Sequence, residues 1–459
     1  QDSWVHMNDR EHATEKAKDL VRMSVARASL LKPLYEKKVP ITQSGLVIGG
    51  GVAGMTAALN LAEQGFDAVL VEKSGGLGGL ARTIRHTIEG RDVQEFLDKL
   101  IEDVQSNERI KVFTNAEVSS FKGYKGNFTT KVRVGPEKAE QTIEHGVAIV
   151  ATGAHEHRPK EFLYGESDKV MTQLEFDSYL HNNAEEASKW QRVFMVQCVG
   201  SRSEENPNCS RICCQSAVKH ALQLRKINPD ADIVVLYRDM RMYGMLEDYY
   251  TEARKQGVIF SRFDPENNPE VSGNGAGLTV TFKDHILQRP VTMTADAVVL
   301  SAATLANETD ELATHLKTPR NAYGFFIEAH AKLRPVDFAS EGIYLCGTAH
   351  SPKLISESIT QALASASRAA SFLAGKTLSV GGAVAHVDPT LCAACLVCVM
   401  VCPYNVPRIN ENNVSEINEA LCQGCGICVS ECPAKAIQLS HYEDDQVLRN
   451  VHALFEGVE

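Results

Sequence analysis

Twelve of the thirteen cysteines stand in groups of four, the number of thiolates that one iron–sulfur cube takes. Cys392, Cys395, Cys398 and Cys402 precede Pro403, and Cys422, Cys425, Cys428 and Cys432 precede Pro433. One spacing, C-x2-C-x2-C-x3-C-P, thus occurs twice at an offset of 30 residues. Zinc would ask for four ligands in two pairs rather than two matching runs of four. A third group, Cys198, Cys209, Cys213 and Cys214, has the same count at a different spacing, and its number and crowding favour a further [4Fe-4S] cluster. A redox-active vicinal pair at Cys213 and Cys214, or four small buried residues, are the competing readings. Cys346 stands alone on an apolar strand and reads as a packed core thiol.

The repeated spacing matches the run of bacterial two-cluster ferredoxins, in which three closely spaced thiolates hold one cluster and the fourth reaches across to the other. On that pattern cluster one takes Cys392, Cys395, Cys398 and Cys432, and cluster two takes Cys422, Cys425, Cys428 and Cys402.

A second chemistry sits nearer the N-terminus. The apolar strand Leu46-Val47-Ile48 runs into Gly49-Gly50-Gly51-Val52-Ala53-Gly54, a G-x-G-x-x-G turn that opens a helix. The next strand, Ala68 to Val71, ends on Glu72-Lys73. In such a βαβ unit the glycines let backbone N–H groups approach a pyrophosphate at the helix N-terminus, and the acidic residue accepts ribose hydroxyls. Gly75-Gly76-Leu77-Gly78-Gly79 follows at once, with Arg82 behind it, and Ala151-Thr152-Gly153 ends the strand Val147 to Val150. This combination resembles the thioredoxin-reductase-like flavoproteins, and the resemblance implies FAD, completed by a returning strand that Gly342 to Thr348 matches. Gly347 and Thr348 then join the site, although that group usually carries Asp where Thr348 stands. The helix after Lys353 is expected to aim its N-terminus at the flavin pyrimidine edge and favour the anionic reduced flavin, with Lys353 either adding to this or remaining a solvated surface lysine. In the same group a second βαβ unit binds NAD(P)H through its own glycine turn. Here that turn reads Gln197-Cys198-Val199-Gly200-Ser201-Arg202, with one glycine left and the four middle cysteines in place of a cradle.

The elements that must position these groups are readable in outline. Residues 11–31 have the periodicity of an amphipathic helix ended by Pro33. A second strand–turn–helix–strand unit spans 193–236, its helix over 216–227, and a third passage runs from Ile343 into a helix near 356–373. Overall composition is ordinary for a globular chain, 44% apolar and 23% charged in 459 residues. The net charge of −11 argues against a nucleic-acid binder. The apolar runs at 146–154 and 295–300 are too short for a membrane span, and no signal peptide is visible, so a soluble cytoplasmic protein is expected.

The whole pattern resembles the FAD and iron–sulfur subunit of the heterodisulfide reductases of anaerobes, the HdrA family. The residues that carry the resemblance are Val47 to Gly54, Gln197 to Arg202 with Cys209 and Cys213-Cys214, Cys346-Gly347-Thr348-Ala349, the two ferredoxin runs, and the segment Ser3-Trp4-Val5-His6 leading into the first helix. The resemblance implies an α/β fold, a thioredoxin-reductase-like two-dinucleotide-domain flavoprotein with a C-terminal α+β bacterial-type 2[4Fe-4S] ferredoxin domain. It divides the chain into a helical linker segment at 1–44, a FAD-binding domain at 45–160 and 295–378, an inserted NAD(P)-domain-like fold at 161–294, a ferredoxin domain at 379–440 and a tail at 441–459. It implies FAD, three [4Fe-4S] clusters, and electron bifurcation or confurcation between a two-electron donor, a disulfide-reducing partner and low-potential ferredoxin. The implied partners are the disulfide-reducing and iron–sulfur subunits of such a complex, a hydrogenase or formate dehydrogenase-type donor, and ferredoxin, around a homodimeric core. Many members have a further cysteine-bearing domain before the Trp4 region, and some insert a ferredoxin module within the flavin domain; residues 83–145 here contain no cysteine. A self-sufficient NAD(P)H-dependent dithiol flavoreductase, a quinone-linked relative and a non-catalytic electron relay are the alternatives.

Overall fold

Strands buried on both faces need a parallel sheet covered by helices, and the four residues Val147–Val150 are fully buried. The computed structural model describes residues 4–34, 36–273 and 277–456, and in it this strand lies inside a five-stranded parallel sheet. The order is Ile343–Leu345, Val147–Val150, Ser44–Ile48, Asp67–Val71 and Ile110–Phe113. A second parallel sheet has the order Val170–Thr172, Ala297–Ala302, Arg192–Val199, Asp232–Tyr237 and Ile259–Arg262. Each sheet sends out a three-stranded antiparallel meander, at 116–145 and at 270–295, before its next strand returns. The two halves are therefore built alike, a repeat that no run of similar residues announces. A short antiparallel ribbon, Ala154–Glu156 against Thr304–Ala306, joins them.

Thr42–Gly375 forms one compact unit. The segments up to Ile41 and from Lys376 onward form the other, because the strand Lys37–Pro40 finds its pairing partner in Thr377–Val380. The first helix runs Arg10–Ala28, three residues short of its expected end, and packs along the helix Asp444–Phe455. Lys32 pairs with Glu443 at 2.7 Å, Arg27 lies 4.4 Å over the Tyr442 ring, and Gln446 donates to the Leu30 carbonyl at 3.2 Å. The segment that reads as a linker and the one that reads as a tail are thus neighbours. Ser3 lies outside the described residues.

The two cysteine runs fold the same way. Ala394, Leu396 and Asn405 in the first, and Gly424, Gly426 and Lys435 in the second, all have positive φ at equivalent positions. Each run then turns into a short helix, Val397–Val401 and Ile427–Ser430. Where the second run has glycine the first holds Ala394 and Leu396 in the left-handed region, which costs an L-residue about 1–2 kcal/mol.

One buried histidine in the first meander gives the fold a measurable acid sensitivity. His145 is fully buried, donating from Nδ1 to the Val147 carbonyl and accepting the Thr130 hydroxyl at Nε2, both at 2.8 Å. Burial pushes its pKa down from 6.5 to about 4. The unfolded chain therefore takes up this proton first as pH falls. The stability it contributes is complete above pH 6.5 and falls by about 3 kcal/mol on the way down to 4. Denaturant titrations across that window should show a smaller loss in His145→Gln than in the wild type.

Candidate functional site

The glycine turn is shaped by contacts that only glycine survives. Gly49 has φ +117°, and a Cβ there would stand 2.2 Å from the Ala151 carbonyl oxygen. A Cβ on Gly54 would meet the Gly49 carbonyl oxygen at 1.8 Å. Gly51 differs, since a Cβ there would touch nothing within 4 Å. It faces open space at the N-terminus of the helix Val52–Glu63, whose first turn is capped by no side chain and so presents its N–H groups to a ligand. Val52 and Ala53 are buried under that turn. Gly78 donates its N–H to the Gly50 carbonyl at 2.8 Å, and Gly79 packs on the Gly51 Cα, so the second glycine stretch lies directly on the first. Glu72 accepts the Gly50 N–H at Oε2, 2.5 Å away, and the Ser74 N–H and hydroxyl at Oε1, 2.7 and 2.6 Å away, which leaves Oε2 a further lone pair. Arg82 binds the Leu77 carbonyl and lies against Gly76. Lys73 points outward and pairs with Glu117 at 2.9 Å.

The returning strand closes this cradle. A Cβ on Gly347 would stand 2.7 Å from that of Ala53, and one on Gly153 would stand 3.8 Å from the Thr348 hydroxyl. Thr152 presents a buried hydroxyl with no partner, while its carbonyl accepts the Asn307 amide at 2.8 Å. An orphaned donor beside an open glycine cradle fits a polar cofactor such as FAD. Lys353 is half-buried rather than a solvated surface lysine, with its Nζ 2.6 Å from Ser351 Oγ and 3.1 Å from His350 Nδ1. Burial and then the nearby Arg211 cation bring its pKa down to about 8. Cys346 is fully buried, and burial pushes its thiol up to about 12.

The middle cysteines occupy the corresponding turn of the second parallel sheet. Cys198 sits at the end of the strand Arg192–Val199, and the helix expected over 216–227 begins three residues earlier, so that Cys213 and Cys214 form its first turn. The helix dipole there favours thiolates or an anionic cluster. Cys198, Arg202 and Arg211 all have positive φ, which bends the loop back over the site. Burial and the Cys214 sulfur raise the Cys198 thiol, while Arg202 and Arg238 oppose them. A hydrogen bond from Cys213 lowers Cys214 and leaves Cys213 raised. Four sulfurs crowded together amid arginine cations fit a cluster of net negative charge. Sequence reasoning quoted Arg202 in the motif without giving it a role, and missed Arg211, Arg238 and the acidic partner of Arg211, Glu357. Arg202 and Arg211 lie inside the cysteine motif and were open to notice, whereas Glu357 lies 146 residues from Arg211.

In the C-terminal unit the sulfurs surround two separate cavities. Cys392, Cys395, Cys398 and Cys432 line one, and Cys402, Cys422, Cys425 and Cys428 line the other. Backbone N–H groups reach these sulfurs: Ser415 to Cys392 at 3.3 Å, Val406 to Cys402 at 3.5 Å and Ala385 to Cys422 at 3.5 Å. Burial and the neighbouring Cys422, Cys402 and Cys425 sulfurs raise Cys428 to about 11. Among the described residues no three ligating side chains close on a single ion-sized point. The sulfurs stand instead around spaces with N–H donors at their rims, which fits two cuboidal clusters.

These features define a class, a flavoprotein of two dinucleotide folds joined to a two-cluster iron–sulfur domain. Residues 44–200 match the family described as pyridine nucleotide-disulphide oxidoreductase, and residues 385–447 match the 4Fe-4S dicluster domain. The two matches imply FAD and iron–sulfur clusters. The solved thioredoxin reductase of Lactococcus lactis shares the fold, with a TM-score of 0.50 at 16% identity, over 72% of this chain and 99% of that one. The chain is 34% identical to the second A-type iron–sulfur subunit of the CoB–CoM heterodisulfide reductase of Methanopyrus kandleri, over 90% of this chain and 76% of the relative. It is 33% identical to the A-type subunit of the H2:CoB–CoM heterodisulfide, ferredoxin reductase of Methanothermobacter thermautotrophicus, over 90% and 77%. It belongs to the HdrA family of heterodisulfide reductase subunits and is an oxidoreductase. The first of these alignments runs to 506 positions, more than the 459 residues of this chain, so that relative carries internal segments absent here.

The open space at Gly51 separates binding from folding. Gly51→Ala should fold with wild-type stability yet retain at least tenfold less FAD, whereas Gly49→Ala should fail to give folded protein. Absorbance at the flavin band together with thermal unfolding reads both. Cys432→Ser and Cys402→Ser should each lose about four irons, as the crossed cavities demand. Loss of the first run's EPR signal in Cys402→Ser, in place of the second's, would contradict the crossing.

Proposed function

We propose that this chain is the FAD and iron–sulfur subunit of a heterodisulfide reductase-type complex that splits or merges electron pairs. A two-electron donor of hydrogenase or formate dehydrogenase type serves one side, and a disulfide-reducing partner and low-potential ferredoxin serve the other. The observation that carries this reading is the middle quartet, which places four cysteines at the turn where a second dinucleotide cradle would stand. With the two C-terminal quartets it makes three [4Fe-4S] sites in one chain, on Cys198, Cys209, Cys213 and Cys214, on Cys392, Cys395, Cys398 and Cys432, and on Cys402, Cys422, Cys425 and Cys428.

FAD supplies the exchange between two-electron and one-electron transfer. The chain's own residues hold and bias it. Gly49, Gly51, Gly54, Gly78 and Gly79 admit the pyrophosphate, Glu72 receives ribose hydroxyls, Arg82 braces the loop, and Thr152, Gly153, Gly347 and Thr348 face the remainder. Lys353 holds a proton at Nζ beside the start of the helix Ile355–Leu373, and cation and helix end together stabilise negative charge on the reduced ring. Lys353→Met should accordingly lower the flavin midpoint potential in an equilibrium redox titration, and an unchanged potential would remove Lys353 from this role.

The hydrogen-bonded pair Cys213–Cys214 favours a second reading, a dithiol flavoreductase driven by NAD(P)H. Anaerobic rapid mixing separates the two. With NADPH or NADH alone the flavin should stay oxidised, and reduced ferredoxin should bleach it. Rapid bleaching by NADPH would establish the dithiol reading instead.

A further inference from the structure

The loop bearing the middle cysteines is closed by its own backbone. Arg202 donates to the Asn208 carbonyl at 3.1 Å, and Ser203 donates to the Asn206 carbonyl at 3.2 Å. The Arg211 side chain takes no part in that closure and reaches elsewhere. Its backbone N–H donates to Cys209 Sγ at 3.3 Å, while its guanidinium forms a close ion pair with Glu357 and donates to the Tyr243 hydroxyl at 2.6 Å. The guanidinium also lies 4.9 Å over the Tyr243 ring, and Tyr243 donates to the same Glu357 oxygen at 3.0 Å. The other Glu357 oxygen accepts the Leu354 N–H at 2.8 Å, at the start of the helix Ile355–Leu373 and next to Lys353. Arg211 therefore grips a sulfur of the middle quartet with its backbone and the beginning of the returning helix with its side chain. The φ of +48° at Arg211 turns the chain so that both grips are possible.

We propose that Arg211 is a positioning residue which, through the Arg211–Glu357–Tyr243 clamp, sets the middle quartet against the flavin-side start of the helix Ile355–Leu373. The proposal rests on the reading that the chain holds both FAD and a middle cluster. Both bonds leave one guanidinium nitrogen, Nη2, so what a lysine would lose is the flat cation lying over the Tyr243 ring rather than the charge. The clamp also sets the local field. Arg211 acts on Lys353, and the Arg211 and Glu357 charges balance each other beside the helix end. Removing either partner unbalances that field in opposite senses.

The test uses the full chain loaded with FAD and iron, in the variants Arg211→Gln, Glu357→Gln and Arg211→Lys. Arg211→Gln should lower the flavin midpoint potential and Glu357→Gln should raise it. Glu357→Gln should in addition alter the EPR line shape of the middle cluster, although Glu357 is no neighbour of any ligand in sequence. Arg211→Lys should bring the potential back towards the wild type without restoring the line shape. If Arg211→Gln fails to load its cofactors, Glu357→Gln should still raise the potential and alter the line shape, while Arg211→Lys alters the line shape with the potential near the wild type. Potentials that stay fixed, or move in one direction in all variants, overturn the clamp. A wild-type protein with no middle-cluster signal overturns the reading beneath it, and is distinguished by being seen before any substitution is made.

Discussion

Three stretches of backbone meet where the strand Ser44–Ile48 ends, at a separation that leaves no room for a Cβ on Gly49 or Gly54. The helix Val52–Glu63, the Ala151–Gly153 turn and the returning Gly347 are all placed by that approach, since Gly347 in turn touches Ala53. Side chains at these positions would push the helix N-terminus away from the sheet and close the open space at Gly51. Every group assigned to the flavin, from Glu72 to Thr348, takes its position from this packing. The same glycines cost conformational entropy in a folded chain, which the fully buried strands on either side offset.

The second sheet repeats four strands of the first and its meander. It takes its edge strand Val170–Thr172 from before them in the chain, where the first takes Ile343–Leu345 from after, and changes what stands on the turn. Four cysteines and a rim of arginines replace the glycines. The architecture is conservative because the end of a parallel strand, next to a helix N-terminus, already favours negative charge. A phosphate and an anionic cluster ask for the same electrostatics and differ in the covalent ligands. On the proposed reading, thiols in place of glycines would make a one-electron site of a dinucleotide turn.

What could be read before the fold was known follows from distance along the chain. Gly49, Gly51, Gly54 and the eight C-terminal cysteines act within short windows, and the spacing itself carries their geometry. That Cys432 lines a cavity with the first run and Cys402 one with the second was foreshadowed by the ferredoxin spacing, whose fourth thiolate reaches across. The start of the middle helix at Cys213 was not, since nothing local caps it. Contacts between distant segments stayed hidden for the same reason. Arg211 and Glu357 carry no shared pattern, and neither do the first and last helices, whose exposed valines gave no hint of which neighbour they adjoin. Positive φ at Ala394 and Leu396 was equally unreadable, because neither residue type advertises it.

One chain carrying a flavin and three clusters is the central claim, so stoichiometry tests it most directly. Iron, acid-labile sulfide and FAD should be measured per chain on protein purified without oxygen. About twelve irons with one FAD is the expected result, since on the proposed reading each of the three quartets would hold a four-iron cluster. About eight irons with one FAD would leave Cys198, Cys209, Cys213 and Cys214 as thiols or a disulfide, and would contradict a one-electron site in the second dinucleotide fold.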